Sequence, residues 1–94
     1  MARFFIEVPH ESEPGACVRA VKAFLNTGSH FLTNADWGCY DGEHAAWIIL
    51  DLENKKEALS VVPPGFRDRA KIVKLNKFTM KEIDEMSLHH QGKV

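Results

Sequence analysis

The chain has 94 residues, 45% of them apolar and 10% aromatic, and its 12 Lys and Arg against 13 Asp and Glu leave a formal net charge of -1. That length accommodates one hydrophobic core, and that apolar share excludes intrinsic disorder. A near-neutral balance provides no positive field for phosphate backbones or anionic lipid, so neither nucleic acid nor a membrane surface is an expected partner.

No apolar run approaches the roughly 18 residues of a membrane span. The stretch from Met1 to Pro9 lacks the apolar segment and small-residue cleavage site of a signal peptide. The expectation is a soluble, cytoplasmic chain. Cys17 and Cys39 form no CxxC pair and indicate neither a disulfide scaffold nor a zinc ribbon. Residues 1–94 read as one domain, with a C-terminal extension from about 79.

In chain order, Arg3 to Pro9 alternates Phe4, Ile6 and Val8 with Phe5 and Glu7, the period of a strand closed by proline. Ser12 is placed to cap a helix with Pro14 in its first turn, and Cys17, Val21, Phe24 and Leu25 recur at helical spacing up to Gly28. Residues 31–40 and 44–52 are strand-like runs around Asp41-Gly42, a dipeptide suited to a two-residue hairpin turn. Asn54 with Glu57 resembles a capping box before a short helix that ends before Pro63. Pro63 to Gly65 reads as a loop, Ala70 to Asn76 as a lysine-flanked edge strand, and Thr79 with Glu82 as the start of a last helical turn or two.

This order is the ferredoxin-like βαββαβ layout: an α+β fold with a four-stranded antiparallel sheet, two helices on one face and a short C-terminal helix. Over about residues 3–76 the pattern resembles the small ferredoxin-like proteins that pair as dimeric α+β barrels. Cofactor-independent monooxygenases, muconolactone isomerase-like enzymes and many small bacterial proteins belong to that group. The resemblance is one of topology and implies a homodimer. It supplies no reaction.

In this layout the first and third strands are central and the second lies beside the third. The hairpin sets Trp37 opposite Ala46 and Asp36 opposite Trp47. Phe4, Ile6 and Val8 then join Ala46, Ile48, Leu50 and Leu52 beneath the helices. The open face receives Phe5, Glu7, Asn34, Asp36, Trp47 and Ile49, with Arg3 and Asp51 toward one end. Phe5, Trp47 and Ile49 make an apolar patch of the kind that a second subunit or a ligand covers. Glu7 and Asp36 flank Trp47 about 10 Å apart, two strand spacings. Enclosure favours these carboxylates as general acid and base, and pairing with Arg or Lys at an interface is the structural alternative. Phe5, Asn34, Trp47 and Ile49 are the expected ligand-binding residues, and Asn34 serves either a ligand carbonyl or the interface.

A second group gathers where the hairpin turns. His10, Cys39, Asp41 and His44 are metal-ligand types, but their spacing matches no metal motif, and no metal or other cofactor is assigned. His10 and His44 alternatively bond backbone while Cys39 packs as a small apolar group or acts as a nucleophile beside His44. Cys17 is expected in the core, approaching Cys39 where the first helix begins. Arg67 and Arg69 lie near the His10 end and either hold an anion or stay solvated around Asp68. His30 reads as a loop residue, and His89 and His90 as part of a tail. Two functions follow. One is a homodimer that binds, or transforms without a cofactor, a small organic molecule on the open face. The other is an interaction or regulatory module whose open face serves oligomerisation alone.

Overall fold

The computed structural model describes residues 1–89. In β1 (Ala2–Pro9) Phe4, Ile6 and Val8 are buried, whereas Arg3, Phe5 and Glu7 remain partly or fully exposed. The period of two sends these sets to opposite faces. β3 (Ala45–Leu52) pairs antiparallel with the whole of β1, placing Ile6 opposite Ile48 and Glu7 opposite Trp47. β4 (Lys71–Leu75) runs antiparallel along the other side of β1, with Phe5 opposite Val73. β2 is reduced to Asp36–Trp37 and pairs with β3 in the expected register, Asp36 opposite Trp47 and Trp37 opposite Ala46. The order β2-β3-β1-β4 makes an α+β architecture on an open four-stranded antiparallel sheet, with β1 and β3 central.

α1 (Pro14–Asn26) starts one residue later than the capping argument predicts. Glu13, not Ser12, is the N-cap, and its side chain bonds Arg19 instead of a first-turn amide. The buried stripe is Ala16, Ala20 and Phe24 at a spacing of four, so Leu25, one step round the helix, is exposed.

The larger departure follows. Residues 31–33 are not strand but part of a helical turn, α2 (His30–Thr33). The Ser29 hydroxyl accepts from the Leu32 amide and the Asn34 amide group donates to the His30 carbonyl at 2.7 Å. These local side-chain bonds override the β preference of Phe31 and Thr33, and the turn buries Leu32 in the core. The expected two-residue hairpin is also longer. Gly38 and Ala45 close the ladder, Cys39–Asp41 form a 3-10 turn, and Gly42 ends it at φ 81°, a left-handed conformation suited to glycine.

α3 (Lys55–Val61) is capped as the sequence predicts, with the Asn54 side chain accepting from the Glu57 amide at 2.8 Å. Pro64–Arg69 form a 3-10 turn in place of a loop. In α4 (Met80–His89) the Thr79 hydroxyl accepts from the Glu82 amide at 3.2 Å. This helix is longer than the one or two turns expected, and residues 80–88 are all exposed. His90 lies outside the described residues.

The core fills the face bearing Phe4, Ile6 and Val8. There Phe24, Leu32, Ala58 and Val62 from the helical side meet Ala46, Ile48 and Leu52 of β3. Fully burying each large apolar side chain contributes roughly 1.5–3 kcal/mol. Phe24 sits edge-on between Trp37 at 4.9 Å and Phe66 at 6.0 Å. The helices leave the other face of the sheet uncovered. Among the described residues no helix is long and apolar enough to cross a membrane.

Candidate functional site

Alternation along the central strands builds the open face. Phe5, Trp47 and Ile49 occupy it with Val73 and Leu75 of β4, and Ile49 is 60% exposed. Arg3 and Asp51 pair at 3.6 Å toward one end. At the centre the Trp47 indole N–H donates to the Glu7 carboxylate at 2.8 Å. Glu7, Trp47 and Asp36 are lateral neighbours on three successive strands, so the two carboxylates flank the indole as expected. Lys71 stands opposite Glu7 on the outer side. Gly38 matters here because a β-carbon would run into the Trp47 ring and the Glu43 carbonyl.

Two hollows lie beside Ile49. One, of about 410 Å³, is lined by His30, Phe31, Asn34, Asp36, Trp47 and Ile49 among others. Its walls are α2, the two residues of β2 and the middle of β3. Asn34 therefore reaches this hollow from the end of α2 and not from a strand, with its amide already bonded to the His30 carbonyl. His30, expected in a loop, begins α2 and joins the lining. The other hollow, of about 520 Å³, has Arg3, Ile49, Leu75, Asn76 and Lys77 around it.

The second site lies on the helix-covered side, at the end of the sheet. Pairing of β1 with β3 continues one residue past Pro9, through His10 N–H to the His44 carbonyl at 3.0 Å. His10 keeps the parity of Phe4, Ile6 and Val8 and is 8% exposed. Its Nδ1 lies 2.9 Å from the Glu11 carbonyl and its Nε2 3.2 Å from Cys39 Sγ. The 3-10 turn at Cys39 directs that thiol to the first turn of α1, where Cys17 Sγ is 2.8 Å away. The ligand atoms of His10, Cys17 and Cys39 all lie within 4.8 Å of one another. Burial, followed by the neighbouring Cys17 thiol, pushes the Cys39 thiol up to about 11.

The membership of this group differs from the sequence reading. Cys17, expected in the core, is half-buried and belongs to the cluster, whereas Asp41 is exposed. His44 does not converge on the thiols and stands edge-on to His10 with ring centroids 5.7 Å apart. Cys39 is opposite Cys17 and not opposite His44, because the 3-10 turn lifts it out of the ladder. One signal for this arrangement was present in the sequence: positions 4, 6, 8 and 10 share a face, which puts His10 on the side of α1 and hence of Cys17. Close by, Arg69 bonds the Glu11 carboxylate at 2.9 Å. A backbone hydrogen bond, then Arg69, lower the pKa of Glu11. Arg67 is committed to the Val62 and Ser60 carbonyls.

No family model matches this sequence, and no curated protein or solved structure is significantly similar to it.

Proposed function

We propose that the chain acts as a homodimer of the ferredoxin-like, dimeric α+β barrel type, binding a small, partly apolar organic molecule between apposed open sheet faces. The observation that carries this reading is the uncovered face itself. It combines Phe5, Trp47, Ile49 and Val73 with a carboxylate held by the Trp47 indole. Such a surface, apolar with a few convergent polar groups, has the chemistry of a small-molecule site once enclosed. An open four-stranded antiparallel sheet with β1 and β3 central supports this reading. The hollow lined by Asn34, Asp36 and Trp47 gives the ligand room of about 410 Å³ before any enclosure by a partner. Asp36 in its lining, and Glu7 on the other side of the Trp47 indole, are carboxylates available to accept or return a ligand proton, and Asn34 offers its amide oxygen to a donor.

Light scattering, together with acrylamide quenching of Trp47 in a Trp37→Phe background, tests the assembly. The expected result is a particle of twice the chain mass with Trp47 shielded. A particle of one chain mass whose Trp47 is freely quenched overturns the reading. A shielded dimer that takes up no apolar fluorescent probe at this face overturns the ligand and leaves the contact as an oligomerisation surface.

A further inference from the structure

The side chains of His10, Cys17 and Cys39 converge from three separate elements: the end of β1, the first turn of α1 and the 3-10 turn before β3. Their hydrogen bonding runs in one direction. Cys17 S–H donates to Cys39 Sγ, Cys39 S–H to His10 Nε2, and His10 Nδ1–H to the Glu11 carbonyl, in the tautomer that satisfies every group. The Glu11 carbonyl therefore orients the imidazole with its Nε2 lone pair facing the two sulfurs. A backbone carbonyl on the far nitrogen is the usual support of a metal-binding histidine.

We propose that His10 Nε2, Cys17 Sγ and Cys39 Sγ bind one zinc ion per chain. Two sulfurs and one imidazole nitrogen are the donor set that a borderline-soft d10 ion prefers. Two thiolates on a tetrahedral zinc, each at about 2.3 Å, stand roughly 3.8 Å apart. The sulfurs, now 2.8 Å apart, need to separate by about an ångström. Both sit on half-buried residues, and a change of side-chain torsion at either thiol moves its sulfur by more than that. On binding, both thiol protons leave to solvent and the ion gains two thiolates; no electron moves. Three protein ligands leave the fourth tetrahedral position open. A hollow of about 270 Å³ that Cys17 and Cys39 share with Val21, Trp37 and Tyr40 borders both sulfurs and gives water or a small donor room to complete the shell. The site lies on the opposite side of the sheet from the proposed ligand face, and neither depends on the other.

The test uses the full reduced chain carrying His89→Ala and His90→Ala, which removes the tail imidazoles. Titration with cobalt(II) is expected to give the visible bands of tetrahedral thiolate-bound cobalt and a sulfur-to-cobalt charge-transfer band saturating at one ion per chain. Zinc should bleach them. Cys17→Ser, Cys39→Ser and His10→Ala should each weaken cobalt binding more than about 100-fold, beyond the effect of losing an outer-shell partner. His44→Ala should keep the bands. Zinc should also slow the reaction of both thiols with an aromatic disulfide reagent, a readout that needs no variant to fold. Absence of the charge-transfer band, its saturation in His10→Ala at the cobalt concentration that saturates the parent chain, or thiols that react at the same rate with and without zinc overturns the proposal.

Discussion

The hydrogen bond from the Trp47 indole to Glu7 asks only for an acceptor, which a glutamine amide also supplies. Glu7→Gln is therefore expected to change unfolding free energy by no more than about 0.5 kcal/mol in urea denaturation. A loss beyond about 1 kcal/mol assigns the negative charge a structural role, and Lys71, opposite Glu7 on β4, is then the partner to examine. The Cys39 thiol gives a sharper pH signature. Burial and then Cys17 raise it from an ordinary 9.0 to about 11, so the folded protein keeps a proton that the unfolded chain releases first. Its contribution is complete below about pH 9 and is lost as the pH climbs toward about 11. Melting of the metal-free, reduced protein across that window, compared with Cys39→Ser, should show the extra decline in wild type only. Parallel declines remove the thiol as its source.

Elements whose stability rests on long-range alternation were readable, and those resting on a few local bonds were less so. β1 alternates inward and outward positions and β3 does so from Ala46 to Leu52, so their facing followed from parity, and the β2–β3 register, Asp36 opposite Trp47, is the one that the expected two-residue turn sets. The Asn54 cap was equally visible, because the side chain that makes it sits in the expected place before Glu57. Residues 31–33 misled because Phe31, Leu32 and Thr33 have strand propensity while the deciding groups, the Ser29 hydroxyl and the Asn34 amide, flank the run. The same shift explains the site. With α2 replacing strand, His30 enters the hollow beside Asn34 and Asp36. With a 3-10 turn replacing the tight hairpin, Cys39 swings to Cys17. The carboxylates about Trp47 were predictable because they lie on regular ladder positions. The thiol pair became a cluster through a loop conformation that hairpin rules do not anticipate.

At the scale of the molecule, the Cα radius of gyration of 17.0 Å exceeds the roughly 12 Å of a compact domain this long. The longest dimension is 52 Å against 28 and 21 Å for the others. α4 stays exposed along residues 80–88 and presents Met80, Ile83 and Met86 on one stripe, with Phe78 exposed just before it. A ten-residue helix is marginal in water without packing, so the proposed dimer predicts that this stripe is buried by the second copy along with the open sheet face. Ile83→Asp with Met86→Asp alters side chains 39% and 43% exposed, outside the core. The pair is expected to shift the light-scattering mass toward one chain and to lower helical circular dichroism. Two controls fix the meaning of the loss. The near-ultraviolet signal of the packed Phe24–Trp37 pair should persist, showing that the sheet and its helices remain folded. Wild type diluted below its dissociation point should lose the same helical signal, because the helix and the dimer are then one equilibrium. A double variant that retains both the dimer mass and the full helical signal separates α4 from assembly and leaves the sheet face alone to hold the two copies together.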